Sequence, residues 1–429
     1  MGLPSFRRSG PDRSPGTWSA QIKPLKIAQV CPYDLDRPGG VQTHVRDTAV
    51  ALGELGYDVT IVAPKIGDGP PRKRIASNVQ IVKLGQAHRI QLSGTKFEAS
   101  LAVGTEGRRL NAVMRRGDFD VVHYHSLWTP LLPLQAFACS PSPRVVTFHD
   151  TPPDGFGGKV SKALLSAVSR MLLPHIDAAI AVSEAPRAHL RPAPDQIVWI
   201  APPCTDLRRF EQAAAPERAP GDPVTILFVG RLEPRKGVML LLEAYRRLCA
   251  DALPVRLVIA GSGGEEPALR RFAALNRLTD VVFAGRFDDA DAPAVYASAD
   301  IVCAPSPYGE SFGIVIAEAM ASGKPVVAAA NHGYRTLLTG PGAEHLAAPG
   351  DAEGLYHRLR RLVLDPALRL ELGAWGRVEA RQYDCRNLAP RLVDIYRHAM
   401  ASRQHAAERG TPRWTPAPQP QFEPESGSV

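Results

Sequence analysis

Short apolar runs rich in valine and isoleucine recur between longer stretches whose apolar residues fall at helical spacing. In the first half the runs are LKIAQV (25–30), DVTIVA (58–63), VQIVKL (79–84), DVVHYH (120–125), RVVTFH (144–149), AAIAVS (178–183) and IVWIA (197–201). A strand covered on both faces reads as such a run, and helices between runs supply the crossovers of a parallel sheet. The first helix is VQTHVRDTAVALGELG (41–56), stopped by Gly56. The polar segment FEQAAAPERAPGDP (210–223) then breaks the alternation with the Ala, Pro and Gly content of a linker. A second series follows in TILFVG (225–230), RLVIAG (256–261), VVFAG (281–285), DIVCAP (300–305) and PVVAA (325–329), and residues 351–402 hold three helical patterns. Two successive series predict an α/β protein of two doubly wound, Rossmann-like domains, with ligands in the cleft outside the C-terminal strand ends.

Composition agrees with this division. A chain of 429 residues, 45% hydrophobic and 22% charged, is a folded protein too long for one ordinary core. The six cysteines (Cys31, Cys139, Cys204, Cys249, Cys303, Cys385) lie far apart without zinc or redox spacing, so buried thiols in a reducing compartment are expected. No apolar run reaches the roughly 20 residues that span a bilayer, and residues 1–24 contain no apolar core of a signal peptide. A cytoplasmic chain is expected, or one attached to the cytoplasmic face of a membrane. The net charge of +8 is one-sided, since residues 1–218 carry 27 Lys and Arg against 19 Asp and Glu, and the remainder carries 24 of each. That surplus suits an anionic surface or substrate, or simply a basic solvated face. Nucleic acid is not expected, because basic and aromatic residues do not interleave in an RNA-binding pattern.

Three stretches carry chemistry. LFVGRLEPRKG (227–237) puts Arg231 and Lys236 at a strand's C-terminal end, where a doubly wound domain binds phosphate. GESFGIVIAEAM (309–320) reads as loop then helix, with free first-turn amides for an anion, Gly313 allowing close approach, and Glu310 and Glu318 flanking them. Taken alone, the glutamates are a helix N-terminal charge and a solvated face. Beside a diphosphate site they would be repelled by phosphate, so their natural partners are sugar and ribose hydroxyls. CPYDLDRPGGVQTHV (31–45) follows the first strand, and Gly39 and Gly40 bring backbone amides toward the cleft, unless they form only an ordinary turn.

His123, His125 and His149 all fall at predicted strand ends, with no carboxylate or cysteine spacing to make a metal site. His149 in TFHD is the best placed to meet a sugar or acceptor. GSGGEE (261–266) is a lone glycine turn, and no GxGxxG follows the first strand. GFGGKVSKALLSAVSRMLL (155–173) makes a basic amphipathic helix, fit for core packing or for an anionic membrane.

Together, GR(x)4KG, E(x)7E, the PGG after the first strand and the histidine after the fifth resemble retaining glycosyltransferases of family 4, which have the GT-B fold. The likeness covers roughly residues 25–402, and three stretches look closest to bacterial phosphatidylinositol mannosyltransferases, which use GDP-mannose. The resemblance implies that Arg231 and Lys236 bind the donor diphosphate and stabilise its departure. Glu310 would hold the donor sugar beside Ser311, Phe312 and Gly313, Glu318 the ribose, and Gly40 a donor phosphate, with Gly261 and Phe287 completing the donor side. Tyr33, Gly39, Gln42, His125 and His149 would face the acceptor, His149 near the reacting carbon. No metal and no cofactor beyond the GDP- or UDP-sugar is implied. Two stretches depart from the family pattern: PPCTD (202–206) and, after His149, DTPPDGFGGK (150–159).

The expected division is a disordered tail over 1–24, an acceptor-side domain over 25–212, a linker over 213–223 and a donor-nucleotide domain over 224–385. A helix over 386–403 would cross back to the first domain, before a disordered Pro-rich tail over 404–429. The expected activity moves a hexose, mannose or a related sugar, to a hydroxyl of a lipid-linked, glycolipid or polysaccharide precursor. The alternatives are a sugar-nucleotide epimerase of the same fold and a non-catalytic membrane-surface protein.

Overall fold

A computed structural model describes residues 24–408 except 38, 66–71, 93–94, 128–130, 152–155, 195, 215, 218 and 220. Most of both expected tails lies outside the described residues. Residues 404–408, assigned to the second tail, instead form the last turn of the helix Cys385–Glu408.

The first sheet contains β1 (Lys26–Val30), β2 (Asp58–Lys65), β3 (Arg72–Ala76), β4 (Val79–Leu92), β5 (Thr95–Leu101), β6 (Val121–His125), β7 (Arg144–Phe148), β8 (Ala178–Ala181) and β9 (Val198–Ile200). Their order is β3-β4-β2-β1-β6-β7-β8-β9, with β5 on β4. All pairs are parallel except those that β3 and β5 make with β4. The second sheet, parallel throughout, is β12 (Val281–Gly285), β11 (Val255–Ala260), β10 (Val224–Val229), β13 (Ile301–Ala304), β14 (Val326–Ala329) and β15 (Leu346–Ala347) in that order. The strand order reverses between β1 and β6 in one sheet and between β10 and β13 in the other. Ligands of such sheets bind in the crevices at those switch points.

The apolar runs become strands because both faces are covered: Ile27, Ile61 and Val121 are buried on one side of the first sheet, and Ala28, Val62 and Val122 on the other. Leu388, Leu392, Ile395 and Tyr396 of the last helix enter the first domain's core beside Val45 and Leu52. Burying side chains of this size stabilises the docking by about 1.5–3 kcal/mol each.

The chain passes between domains at two adjoining places. Thr205 forms a parallel bridge with Asp384. The Cys385 amide donates to Thr205 O at 3.1 Å, and the Leu207 amide to the Asp384 carboxylate at 3.1 Å. Phe210 is already buried in the second domain, edge-on to Tyr296. The crossing therefore lies in PPCTD, ahead of the polar segment that composition marks as a linker.

Candidate active site

The cationic turn after β10 is shaped by glycines. A Cβ on Gly261 would lie 1.8 Å from Gly230 O, and one on Gly263 2.2 Å from Leu232 O, so GSGG is the seat on which the GRLEP turn rests. The Gly261 amide is spent on Gly285 O at 2.7 Å. That amide is therefore already engaged within the sheet, and Gly261 keeps its place at the end of β11 behind the cationic turn. Gly237, at φ 69°, would bring a Cβ within 2.4 Å of Pro305 O, which packs the turn against the end of β13.

On that turn the charges alternate in sign. Arg231 Nη1 donates to Glu233 Oε1 at 2.9 Å, and Arg235 Nε to Glu233 Oε2 at 3.1 Å. Arg235 Nη1 lies 3.4 Å from Glu310 Oε1 and 3.3 Å from Gly309 O, and Lys236 Nζ donates to Glu310 Oε1 at 2.6 Å. The Lys236 and Glu310 side chains are 14% and 11% exposed. Desolvation and the like charge of Arg235 hold the Arg231 guanidinium below its usual value. Arg231, Lys236 and Glu310 are thus brought together, and Arg235 and Glu233 join them. The only sequence signal for Arg235 was a second cation beside Lys236.

Beyond β13, Gly333 packs where a Cβ would lie 2.6 Å from Glu310 O. Gly313 (φ 113°) begins the helix Ile314–Ala321, and Tyr334 Cδ1 would be 2.7 Å from its Cβ. An added side chain would strain the backbone and displace Tyr334. The Ile316 amide donates to Gly313 O at 2.9 Å, and the amides ahead of it lie at the positive end of the helix. Phe312 is buried beneath the loop. Glu318 is buried on the second turn, its Oε2 accepting from Tyr296 Oη at 2.7 Å. Burial pushes its carboxyl up to about 7 against the opposing bond from Tyr296. Nearby at the crossing, burial raises Asp47 to about 6, and Arg209 makes a bidentate pair with Asp289 at 2.7 and 3.0 Å. Phe287 packs, partly buried, against the second domain's core.

The facing wall comes from the loop after β1. Buried Lys83 lies 3.6 Å from Asp34 and bonds Asp36, while Arg46 Nη2 donates to Leu35 O at 2.5 Å, so the loop is tied at three points. Gln42 folds back over Gly39, where a Cβ would meet its Oε1 at 2.4 Å, and a Cβ on Gly40 would stand 3.3 Å from Ile314 Cδ1. The glycine pair therefore meets the start of the Ile314 helix across the domain boundary. Tyr33 is partly buried and within electrostatic reach of Arg231. Thr151 Oγ1 lies 2.8 Å from Ser311 Oγ, and the Ser183 hydroxyl donates to Ser311 O. The two walls touch at the loop that carries Glu310.

Beneath this contact four histidines cluster. His125 Nδ1 and His149 Nε2 share a hydrogen bond at 3.0 Å, and His44 stands edge-on to both rings. Burial holds all three, with His123, well below the usual imidazole range, so the cluster is neutral. His123 is a core residue, bonded to Tyr396 Oη at 2.9 Å and to Thr147 Oγ1 at 2.7 Å. His125 is 0% exposed beneath His149, so its part is to support that ring, which corrects its expected direct place on the acceptor side. His44 escaped sequence reasoning, since its place depends on a contact 160 residues away. The Cys204 amide donates to its Nδ1 at 2.7 Å. Ligand nitrogens of His44, His125 and His149 lie within 4.8 Å of one another. With Nδ1 accepting that amide, however, Nε2 of His44 carries the proton and offers no lone pair to a metal.

Residues 38–209 match the model of Glycosyltransferase Family 4, and residues 209–378 that of Glycosyl transferases group 1. The chain is 33% identical to the phosphatidyl-myo-inositol mannosyltransferase of Mycolicibacterium smegmatis over 377 residues, 87% of this chain and 93% of that protein. It is 28% identical to the D-inositol 3-phosphate glycosyltransferase of Saccharomonospora viridis, over 89% of this chain and 96% of the other. Among solved structures, sucrose-phosphate synthase from Thermosynechococcus elongatus superposes with a TM-score of 0.72 at 22% identity, covering 88% of this chain and all of that one. Anabaena HepE, solved with UDP and glucose, gives 0.65 at 18% identity, covering 86% and 98%. Neither the epimerase reading nor the non-catalytic reading gains support from these matches. The chain belongs to glycosyltransferase family 4, and is a glycosyltransferase with the GT-B fold.

Proposed function

We propose that this enzyme moves a hexose from a GDP- or UDP-sugar to an acceptor hydroxyl with retention of configuration, and that it needs no metal ion. The observation that carries the reading is the meeting of Arg231, Arg235 and Lys236 with Glu310 beside the helix Ile314–Ala321, whose start meets Gly40 of the first domain. Three cations and the positive end of a helix supply the charge that a divalent ion would otherwise bring to a departing diphosphate. When a donor enters, Lys236 exchanges Glu310 for phosphate oxygen, and the freed carboxylate accepts from sugar hydroxyls. The C1–O bond to phosphate breaks, with its electron pair leaving on the diphosphate. The acceptor oxygen then bonds C1 on the same face and passes its proton to the departing phosphate. Neutral His149 borders the sugar without contributing a like charge to the developing cation.

Mannose is the favoured sugar, since relatives at 33% identity over most of the chain are named mannosyltransferases. Relatives of both kinds are named for an inositol-bearing acceptor, which makes inositol phosphates and inositol lipids the first acceptors to test. No helix among the described residues is long and apolar enough to cross a membrane. A lipid acceptor would be reached by binding at an anionic surface, aided by Arg108, Arg109, Arg115 and Arg116 of the helix Gly104–Arg116. The test is to incubate the enzyme and a chelator with GDP-mannose or a UDP-hexose and each acceptor, reading the product's anomeric configuration by NMR. A retained linkage is expected. An inverted linkage, an epimerised donor without acceptor, or turnover abolished by the chelator would overturn the proposal.

A further inference from the structure

Five side chains form a ladder of alternating charge: Arg231, Glu233, Arg235, Glu310 and Lys236. Its two carboxylates are not equivalent. Glu310 stands on the opposite loop and is the one a donor displaces. Glu233 belongs to the cationic turn itself, and each of its oxygens accepts from a different arginine, Nη1 of Arg231 at 2.9 Å and Nε of Arg235 at 3.1 Å. The backbone fixes it there, with the Glu233 amide donating to Arg231 O at 3.0 Å and the Lys236 amide to Glu233 O at 2.8 Å.

Arg231 needs such a brace. Its side chain is 57% exposed and Glu233 is its only ion-pair partner among the described residues, so without it the guanidinium would sample many rotamers at the cleft mouth. A transition-state charge is stabilised well only by donors already in place.

We propose that Glu233 is a positioning residue that braces Arg231 and Arg235 for the departing diphosphate and stays in place during turnover, an inference that rests on the nucleotide-sugar reading. Its carboxylate costs ground-state affinity, because it stands beside a polyanion, and it gains rate by holding both arginines. The two effects have opposite signs, which separates a brace from a residue needed only for folding.

The test compares wild type with Glu233→Gln and Glu233→Asp, measuring the Kd of GDP or UDP by calorimetry and kcat with the matching sugar donor. In Glu233→Gln one negative charge is gone, and one of the two oxygens that accept from the arginines becomes an NH2 donor. The nucleotide should bind about threefold tighter, while kcat falls about tenfold or more. Glu233→Asp keeps the charge but falls short of one arginine, so kcat should drop with Kd unchanged. If Glu233→Gln proves unfolded, the Asp variant decides alone. Unchanged kcat in a folded variant, or affinity and kcat falling together, overturns the inference while leaving the donor reading intact. A wild-type chain that binds neither nucleotide defeats both.

Discussion

Acid should loosen the histidine cluster, and His44 is where the size of the effect can be worked out. Its imidazole takes up a proton near 6.5 when unfolded but only at about 4 in the fold, because burial disfavours the cation and outweighs the opposing backbone bond to Cys204. Between those values the unfolded chain holds the extra proton, so this contribution to stability rises with pH and is lost as pH falls from 6.5 toward 4. Going from pH 7.5 to pH 5 removes about 2 kcal/mol through this one residue. His123, His125 and His149 act in the same direction, whereas the raised carboxyls of Asp47 and Glu318 oppose them, gaining stability as they take up protons. The perturbation is His44→Gln, whose amide oxygen can still accept from Cys204 but cannot titrate. Urea denaturation of both proteins at the two pH values gives the comparison. The variant should lose about 2 kcal/mol less than wild type on acidification, whatever its stability at neutral pH. An equal loss in the two proteins would refute the tautomer and the buried neutral state assigned to His44.

Two further outcomes follow from the donor wall. Gly313→Ala places a Cβ 2.7 Å from Tyr334 at a φ of 113°, so it should lower stability by about 1–3 kcal/mol and reduce the melting-temperature rise produced by the sugar donor; an unchanged melt would show that the helix start is not so constrained. Tyr296→Phe removes the bond that favours the charged form of Glu318, so its carboxyl rises further. If that carboxylate holds the ribose, the donor KM measured near pH 7 should rise about threefold or more with little change in kcat, and an unaltered KM would detach Glu318 from the donor.

Much of the scaffold was legible because a strand covered on both faces must be written as a continuous apolar run. LKIAQV, TILFVG and DIVCAP each fall on a strand within a residue or two at either end. β3 and β5 were missed, since RKRIA and TKFEASL mix charge with apolar residues at the edge of the sheet. The crossing was sought in the Ala, Pro and Gly segment, but composition reports solvation. The crossing itself is held by tertiary bonds from Thr205, Asp384 and Cys385, which leave no local signature. The site divides in the same way. Arg231, Lys236 and Glu310 could be read because each sits where a strand ends and a helix or turn begins. His44 acquires its place only when Cys204 converges on it and Arg235 when Glu310 does, whereas Glu233 is held within its own turn and gave no signal apart from its charge.

In the proposed mechanism the cationic turn after β10 grips the donor diphosphate against the Ile314 helix. Lys236→Ala addresses it most directly, because it deletes the most sheltered of the three cations, while Glu310 retains Arg235 as a neighbour and the fold loses little. Initial rates with saturating sugar donor should show kcat reduced on the order of 10² relative to wild type. Turnover close to wild type, in a variant whose melting temperature is preserved, would show that Lys236 does not stabilise the departing diphosphate.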